Sequence, residues 1–505
     1  MPHVDPTPVT RNAPLASGST KVAARRPRFV WPAAVALALL AACGGSGSGR
    51  QSTPLPVAAT DPFPIGVVSH DGRWLTDAAG RVLMPHGVNM VAKEAPYYPA
   101  AFGFDDADAA WLADNGFDLV RLGVMMTGLM PEPGKVDSTY LDNIAATVSV
   151  LGKHHLLVLL DLHQDGWGPS VGSDGFPDWM TLTNGAENTH TGFPLYYITN
   201  PAIQAAFQSF WDNRPGPGGI PLQEQYAVAV RELARRFAGE PAVMGYDLLN
   251  EPWPGTTWAP CAFDAAGCPV LDQAELDPFY GVGDAAIRSA DRSHLVFAEP
   301  FVLFNFGQGR TNIARPGGDD AAGLGFHIYP LSPDAEGSVI ANAVAWSEQA
   351  HGALLAGEWG ATTDPAQITR EADKLDAAMI PWAFWSYDTL IRNLADPPAG
   401  LTLNAAAAQA IIRPHPLALA GTPTDVRYDA TTRSLAVAWS NTMPGGRPFP
   451  PGVVSSFQLP VSVYPAGYTV STNGTVTSAP NAPLLTIVAL PGATTTTVGV
   501  TPASP

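Results

Sequence analysis

Cysteine is nearly absent from this chain, with 3 in 505 residues. A disulfide-built scaffold is therefore excluded, and a thiolate metal centre is too, because Cys261 and Cys268 have no further Cys or His at ligand spacing. Positive charge is scarce as well. Lys and Arg total 27 against 45 Asp and Glu, a formal net charge of −18, and no basic stripe is visible. Such a surface repels phosphate backbones, so nucleic acid is not an expected partner. Apolar runs of spanning length are also missing: the stretch 29–42 falls short of the roughly twenty residues that a membrane helix needs.

That stretch has another reading. Lys21, Arg25, Arg26 and Arg28 precede it, which makes a basic n-region followed by the h-region of an export signal. It ends Leu40-Ala41-Ala42-Cys43 before a Gly/Ser run at 44–49, a pattern that resembles the bacterial lipobox, in which the Cys is lipidated and becomes the first mature residue. Residues 1–42 are thus expected to be a lipoprotein signal peptide and 43–60 a flexible tether. The expected location is extracytoplasmic, anchored to a membrane through Cys43, or secreted. Positions 1–42 hold five basic residues and one acidic, so their removal takes the charge from −18 to −22. In an oxidising compartment Cys261 and Cys268, seven positions apart, are expected to pair as a local disulfide.

From residue 61 the pattern is that of an α/β protein. Short apolar runs at 82–90, 119–124, 156–163, 243–251, 295–300, 323–329, 354–359 and 382–387 read as strands buried on both faces. Amphipathic stretches at 105–115, 138–152, 222–237, 275–290, 338–350 and 365–379 lie between them. The expectation is a (β/α)₈ TIM barrel over 61–415, since an open doubly wound sheet would gather only a few strand ends at one crevice, whereas polar residues here follow at least six. Beyond 415, short β-prone runs separated by Pro, Gly and Asn predict a β-sandwich over 416–505, with Trp439, Tyr464 and Tyr468 as either core or ligand platform.

Two of the apolar runs end in glutamate. Glu251 closes a run ending Asn250-Glu251-Pro252-Trp253, and Glu358 closes Gly357-Glu358-Trp359-Gly360. In a barrel both lie at the C-terminal ends of strands, where such enzymes keep their chemistry. Two carboxylates facing one gap suit glycosidic bond cleavage: one protonates the leaving oxygen and the other attacks the sugar carbon. Arg121, His163, His327, Tyr329 and Trp385 also stand at strand ends. Glu299-Pro300 imitates the acid motif but lacks the preceding Asn, and is set aside.

With Asn250-Glu251-Pro252, a second strand-end Glu 107 residues later and His327-x-Tyr329 between them, residues 60–415 resemble glycoside hydrolase family 5. Gly87 to Lys93, His163-Gln164-Asp165, Asn250 to Gly255 and Arg413-Pro414-His415-Pro416 are similar to its endoglycoceramidase branch, whose members also carry a C-terminal β-sandwich. The resemblance implies a retaining enzyme with Glu358 as nucleophile and Glu251 as acid/base. It further implies that Arg121 and Tyr329 donate to Glu358 and hold its pKa down, while Trp253 and the charge of Glu358 raise that of Glu251. Asn250 is expected on the sugar 2-hydroxyl, Trp385 under the sugar, Lys93, His163 and Asp165 on its other hydroxyls, and His327 behind the acid/base. No cofactor and no metal are implied, and a monomer is expected. The chain departs from that branch at Gly166-Trp167-Gly168, at Gly175-Phe176-Pro177 and at Gly357-Glu358-Trp359-Gly360, which bears on which glycan is taken.

The connection from 164 to 221 is too long for an ordinary barrel loop and rich in aromatics, among them Trp167, Phe176, Trp179, Phe193, Tyr196 and Trp211; 301–306 is a second such stretch. If part of this lines the cleft, with Trp179 the leading candidate, the aglycone is apolar, as in a glycosphingolipid or a steryl glucoside. The other expectations are a cellulase- or mannanase-like endo-β-glycanase acting on oligosaccharide, and an inactive lectin on the same scaffold.

Overall fold

The computed structural model describes residues 60–503 except 263, 308, 331 and 393–403; the expected signal, Cys43 and nearly all of the tether lie outside the described residues. Eight parallel strands close into a barrel: β1 (His86–Met90), β2 (Leu119–Met125), β3 (Leu157–His163), β4 (Val243–Asp247), β5 (Leu295–Ala298), β6 (Ala322–Ile328), β7 (Ala353–Trp359) and β8 (Trp382–Phe384). Their order round the barrel follows the chain, and β8 pairs with β1 to close it. All their residues are buried, as continuous apolar runs covered by helices require.

The covering helices are α1 (Asp106–Asp114), α2 (Ser138–Lys153), α3 (Leu222–Phe237), α4 (Asp277–Arg288), α5 (Glu336–Ala350), α6 (Pro365–Ala378) and α7 (Ala405–Ile411). Asp105, Asp137 and Asp364 begin α1, α2 and α6 by accepting first-turn N–H groups, which those turns cannot satisfy themselves. Between β5 and β6 the described residues form no α-helix. Two 3₁₀ turns stand there instead, Val302–Phe306 and Pro316–Gly318, in a Gly-rich segment without a helical apolar period.

Side chains on a strand alternate between faces. Leu119, Leu157, Leu159, Leu295, Phe297, Ala353 and Leu355 form one buried cluster at the barrel floor. Two residues further along the same strands come Arg121, Asp161 and Glu299, so a polar layer lies directly above an apolar one. Strand β7 would break this rule, because alternation from Leu355 would turn Glu358 outward. A register shift against β6 between Ala356 and Glu358 corrects it, acting as a β-bulge that re-aims the glutamate. Gly357 makes the bulge possible: a Cβ there would stand 3.2 Å from His327 Nε2 and 3.4 Å from Arg121 Nε.

The stretch 82–90, expected as one strand, is two. Pro85 interrupts it, and Val82–Leu83 leaves the barrel to pair with β9 (His415–Leu419). With Ser69–Asp71 and Trp74–Thr76 it extends one sheet of the C-terminal sandwich, through β9, β12 (Val454–Gln458), β15 (Leu484–Val488) and β14 (Thr475–Val476). The facing sheet holds β10 (Thr422–Asp429), β11 (Ser434–Ser440), β16 (Thr495–Pro502) and β13 (Tyr468–Thr472) in that order. Residues before β1, expected within the barrel, thus pair with the C-terminal sheet, and Leu75, Leu83 and Ala418 join the floor cluster from below. Trp439 and Tyr464 are buried in the sandwich, while Tyr468, half-buried, donates its hydroxyl to the Ala482 carbonyl. Trp439 and Tyr464 are thus core residues and offer no platform for a sugar.

Under the floor, His86 is stacked between Trp382 and His415, at centroid distances of 4.0 and 3.8 Å, and its Nε2 faces Asp376 at 3.2 Å. Burial, reinforced by His415 and opposed by Asp376, pushes the His86 imidazole down to about 3. An unfolded His titrates near 6.5, so below that pH the unfolded chain gains a proton that the folded one refuses. The stabilisation is present above about pH 6.5 and is lost as pH falls towards 3. Unfolding free energy measured in urea should therefore decline through that window. His86→Phe, which keeps the stack and removes the titration, should decline less steeply, and an unchanged slope would show that His86 is not the group responsible.

Candidate active site

The centre of the polar layer is Arg121, fully buried on β2. Nη1 donates to Glu358 Oε1 at 2.8 Å and Asn89 Oδ1 at 3.1 Å. Nη2 donates to Asn250 Oδ1 and Glu299 Oε1, each at 2.8 Å, and to Asp247 Oδ2 at 3.0 Å, and lies 3.0 Å from Asp161 Oδ1. One guanidinium therefore links side chains from β1, β3, β4, β5 and β7.

Glu358 also receives the Tyr329 hydroxyl on Oε2 at 3.0 Å. The expected donors are in place, yet the expected depression of its pKa does not follow. Burial dominates and pushes the Glu358 carboxyl up to about 7, against the pull of His327 and Arg121, with the Glu251 charge adding to the rise. Glu251 holds a left-handed backbone, φ +42°, which costs a non-glycine residue energy and is maintained by its surroundings. Gln164 Nε2 donates to the carbonyls of Asn250 and Glu251 at 2.8 and 3.0 Å, and the Glu251 N–H donates to Glu299 Oε2 at 2.8 Å. Both side-chain donors to Glu251 converge on Oε1: Asn305 Nδ2 at 3.0 Å and His327 Nδ1 at 2.8 Å. Oxygens of Glu251 and Glu358 and a nitrogen of His327 lie within 4.8 Å of one another, so the two carboxyls face one gap beside a single imidazole.

His327 is held from its other side as well, with Nε2 3.0 Å from Glu299 Oε1. Burial lowers the His327 pKa, but Glu299 and Glu358 outweigh it and raise it well above the ordinary value. Burial likewise raises Glu299, while His327 and Arg121 bring it down to about 2. Glu299, set aside in the sequence, is therefore a central anchor. The signal that could have found it is its place two residues beyond the inward-facing Phe297. Asn89, Asp161 and Asp247 were missed for a like reason, since each reads as an isolated polar residue in an apolar strand.

On the other side of the cleft, His163 Nδ1 is 2.7 Å from Asp161 Oδ2 and Nε2 is 3.4 Å from Asp165 Oδ2. Burial lowers His163, but Asp161 and Asp165 outweigh it and raise it to about 10. Lys93 pairs with Asp165, and its Nζ lies 4.7 Å from the Trp385 ring centroid. Trp385, half-buried, stacks on His163 at 5.6 Å. Asn250 uses one amide hydrogen on the Gln164 carbonyl at 3.0 Å, which leaves a second for a ligand. Trp253, expected to press on Glu251, is packed in the loop, with its indole donating to the Gly255 carbonyl and its ring on Tyr197. His163/Asp165/Asp174 and Glu251/His327/Glu358 are close enough to hold a cation. In both groups the imidazole is already engaged by carboxylates, His163 by Asp161 and Asp165 and His327 by Glu251 and Glu299.

Glu251, Glu358, Tyr329, Lys93, Asp165 and Trp385 line a cleft of about 680 Å³, together with Phe193, Pro194, Tyr196 and Phe306. The long connection after β3 supplies the first three of these apolar groups. Trp167, Phe176, Phe207, Phe210 and Trp211 instead fill the interior of that connection. Trp179, the leading sequence candidate for the wall, is half-buried away from the cleft, and its indole donates to the Met130 carbonyl at 3.1 Å. Cys261 and Cys268 are joined as a disulfide, with Cα atoms 4.9 Å apart.

Residues 84–389 match the family described as Cellulase (glycosyl hydrolase family 5), and 413–500 match the Glycoside hydrolase family 5 C-terminal domain. The chain belongs to glycoside hydrolase family 5. Within it, the chain is 32% identical over 451 residues to Endoglycoceramidase I of Rhodococcus hoagii, covering 84% of this chain and 86% of that one. Among solved structures it is similar to endo-glycoceramidase II from Rhodococcus sp., determined as a lactosyl-enzyme intermediate. That match has a TM-score of 0.70 and 26% identity, covering 86% of this chain and 100% of the other. An endogalactoceramidase superposes with a TM-score of 0.66 at 26% identity, covering 87% and 100%.

Proposed function

We propose that the chain hydrolyses the β-glycosidic bond between a sugar and the lipid aglycone of a glycosphingolipid, by double displacement. The observation that carries this is the cleft itself: two closely spaced carboxyls at its base, a charged and aromatic sugar side, and a separate apolar wall. Glu358, turned inward by the β7 bulge, attacks the anomeric carbon while Glu251 gives its proton to the departing oxygen. Arg121 and Tyr329 hold the attacking carboxylate in place. Once Glu358 is glycosylated, Glu251, left ionised by the first transfer, takes a proton from the incoming water, which attacks the anomeric carbon and releases Glu358. The likeness to a protein solved as a lactosyl-enzyme intermediate supports a covalent step. Asp165 and Lys93, fixed by His163, bind sugar hydroxyls over the Trp385 ring, and the second amide hydrogen of Asn250 serves the 2-hydroxyl. Incubation with glucosylceramide, lactosylceramide and carboxymethylcellulose should release sugar from a ceramide substrate with retained anomeric configuration. Glu358→Gln should lower turnover by several orders of magnitude. Inverted product, or action on the polysaccharide alone, would overturn the assignment.

The apolar wall generates a second expectation. Phe193 is 65% exposed in the free enzyme, so its removal leaves the fold intact. Phe193→Ala should reduce kcat/KM for a lipid glycoside by about fivefold to a hundredfold, from roughly 1 to 3 kcal/mol of lost apolar contact, and leave an aryl glycoside of the same sugar nearly unaffected. Equal losses on both substrates would place the aglycone elsewhere.

We further infer that the protein is exported and works as a monomer tethered to a membrane by lipid on Cys43. A membrane-held enzyme meets its substrate in the plane where that substrate lies. No helix among the described residues is long and apolar enough to cross a membrane. Cys43→Ser should accordingly move the protein from the detergent phase to the aqueous phase in a partition assay. Retention in the detergent phase would assign attachment to another part of the chain.

A further inference from the structure

Asn305 lies in the Val302–Phe306 turn after β5, fully buried, in a segment whose neighbour Phe306 lines the cleft. Its Nδ2 donates to Glu251 Oε1 at 3.0 Å, its Oδ1 accepts the backbone N–H of His327 at 3.0 Å, and its carbonyl accepts that of Tyr329 at 3.0 Å. The same turn holds the acid/base loop from the other end, because the Val302 N–H donates to the Pro252 carbonyl at 2.9 Å.

The orientation of this amide follows from its partners. A backbone N–H can only donate, so the atom facing His327 N–H must be the amide oxygen, and the atom facing Glu251 must be the amide nitrogen. Glu251 Oε1 is then always an acceptor. A proton on this carboxyl must sit on Oε2. The terminal torsion of a glutamate is broad, so without such a contact either oxygen could carry the proton and point anywhere in the cleft. His327 does not resolve this alone, since its Nδ1, 2.8 Å from Glu251 Oε1, also faces Glu358 Oε2 at 3.6 Å. Asn305 directs its side-chain hydrogen at Glu251, and being neutral it fixes the carboxyl without stabilising its charged form as a cation would.

We propose that Asn305 is a positioning residue for the acid/base: it pins Glu251 through Oε1 so that Oε2 carries the transferable proton towards the glycosidic oxygen. This rests on the reading of Glu251 as the acid. Asn305→Ala and Glu251→Ala should therefore be compared on glycosides of one sugar, from a dinitrophenyl to an alkyl leaving group, in the full chain. A poor leaving group needs the proton and an activated one does not, so both variants should lose at least tenfold more kcat/KM on the alkyl than on the dinitrophenyl substrate. Asn305→Asp, nearly isosteric, places a carboxylate against Glu251, while His327, Glu358, Tyr329, Tyr196 and Tyr197, which also face that carboxyl, and Glu299 on its backbone N–H are unchanged. The basic limb of kcat/KM against pH should move to higher pH in that variant.

The outcomes separate the two readings. A leaving-group dependence in Glu251→Ala but not in Asn305→Ala, or an unmoved basic limb in Asn305→Asp, overturns the role of Asn305 and leaves the acid intact. A flat response in both alanine variants removes the acid assignment and this inference with it. If Asn305→Ala fails to fold, judged by its thermal unfolding, the limb in Asn305→Asp decides alone.

Discussion

The guanidinium of Arg121 is the group on which the site depends. A fully buried cation is unstable unless its hydrogens and its charge are met on all sides. Here they are met by Glu358, Glu299, Asp247, Asp161, Asn250 and Asn89, drawn from strands all round the barrel. The requirement runs in both directions. Each carboxylate needs the cation as much as the cation needs it, and losing one partner of a buried pair costs about 3 to 5 kcal/mol. The barrel can close only with these strand ends in register, so the ion cluster sets the placement of the glutamates before any ligand arrives. That is electrostatic preorganisation in a physical sense: donors are fixed where charge is needed and need not reorganise during the reaction.

The same burial explains why Glu358 remains close to neutral pH in its titration despite a cation and a hydroxyl beside it. Water is the larger loss, and Glu251 adds a like charge at short range. A carboxylate held this way is poorly solvated as well as oriented. In the proposed double displacement, glycosylation relieves both penalties at once, since it removes the charge from Glu358 while Glu251 stays held by His327 and Asn305. The imidazole, braced by Glu299, can accommodate whichever carboxylate is charged at each step.

How much of this was legible in the sequence follows from periodicity. The eight strands stood out because parallel strands covered on both faces are continuous apolar runs, and Glu251 and Glu358 stood out because each ends one of them. Glu299 was not legible by motif, since Asn does not precede it, yet alternation from Phe297 would have turned it into the barrel. The β7 bulge could not be read, because Gly357 looks like any strand-end glycine until His327 and Arg121 are seen against it. The division at Pro85 was present in the sequence as a proline within an apparent strand. Trp179 misled for a different reason: in a long aromatic connection, composition cannot say which rings fill its interior and which face the cleft. Only the packing of Trp167, Phe176 and Phe210 on one another decides that.

These differences divide the cleft by origin. The sugar side and the reacting groups come from strand ends, or from residues such as Lys93 and Trp385 one to three positions beyond them, and all lean on the buried cluster. The apolar side comes from Phe193, Pro194 and Tyr196 in the β3 connection and Phe306 in the β5 connection, which lean on their own aromatic interior. A substitution in the first group disturbs charge balance throughout the barrel, whereas one in the second changes shape and apolar area locally. The reacting groups are therefore tied to the barrel, whereas the apolar wall belongs to the connections after β3 and β5, the second of which also holds Glu251 through Asn305. The departures from the family pattern at Gly166-Trp167-Gly168 and Gly175-Phe176-Pro177 fall in the β3 connection, with Trp167 and Phe176 in the aromatic interior on which that side of the cleft rests.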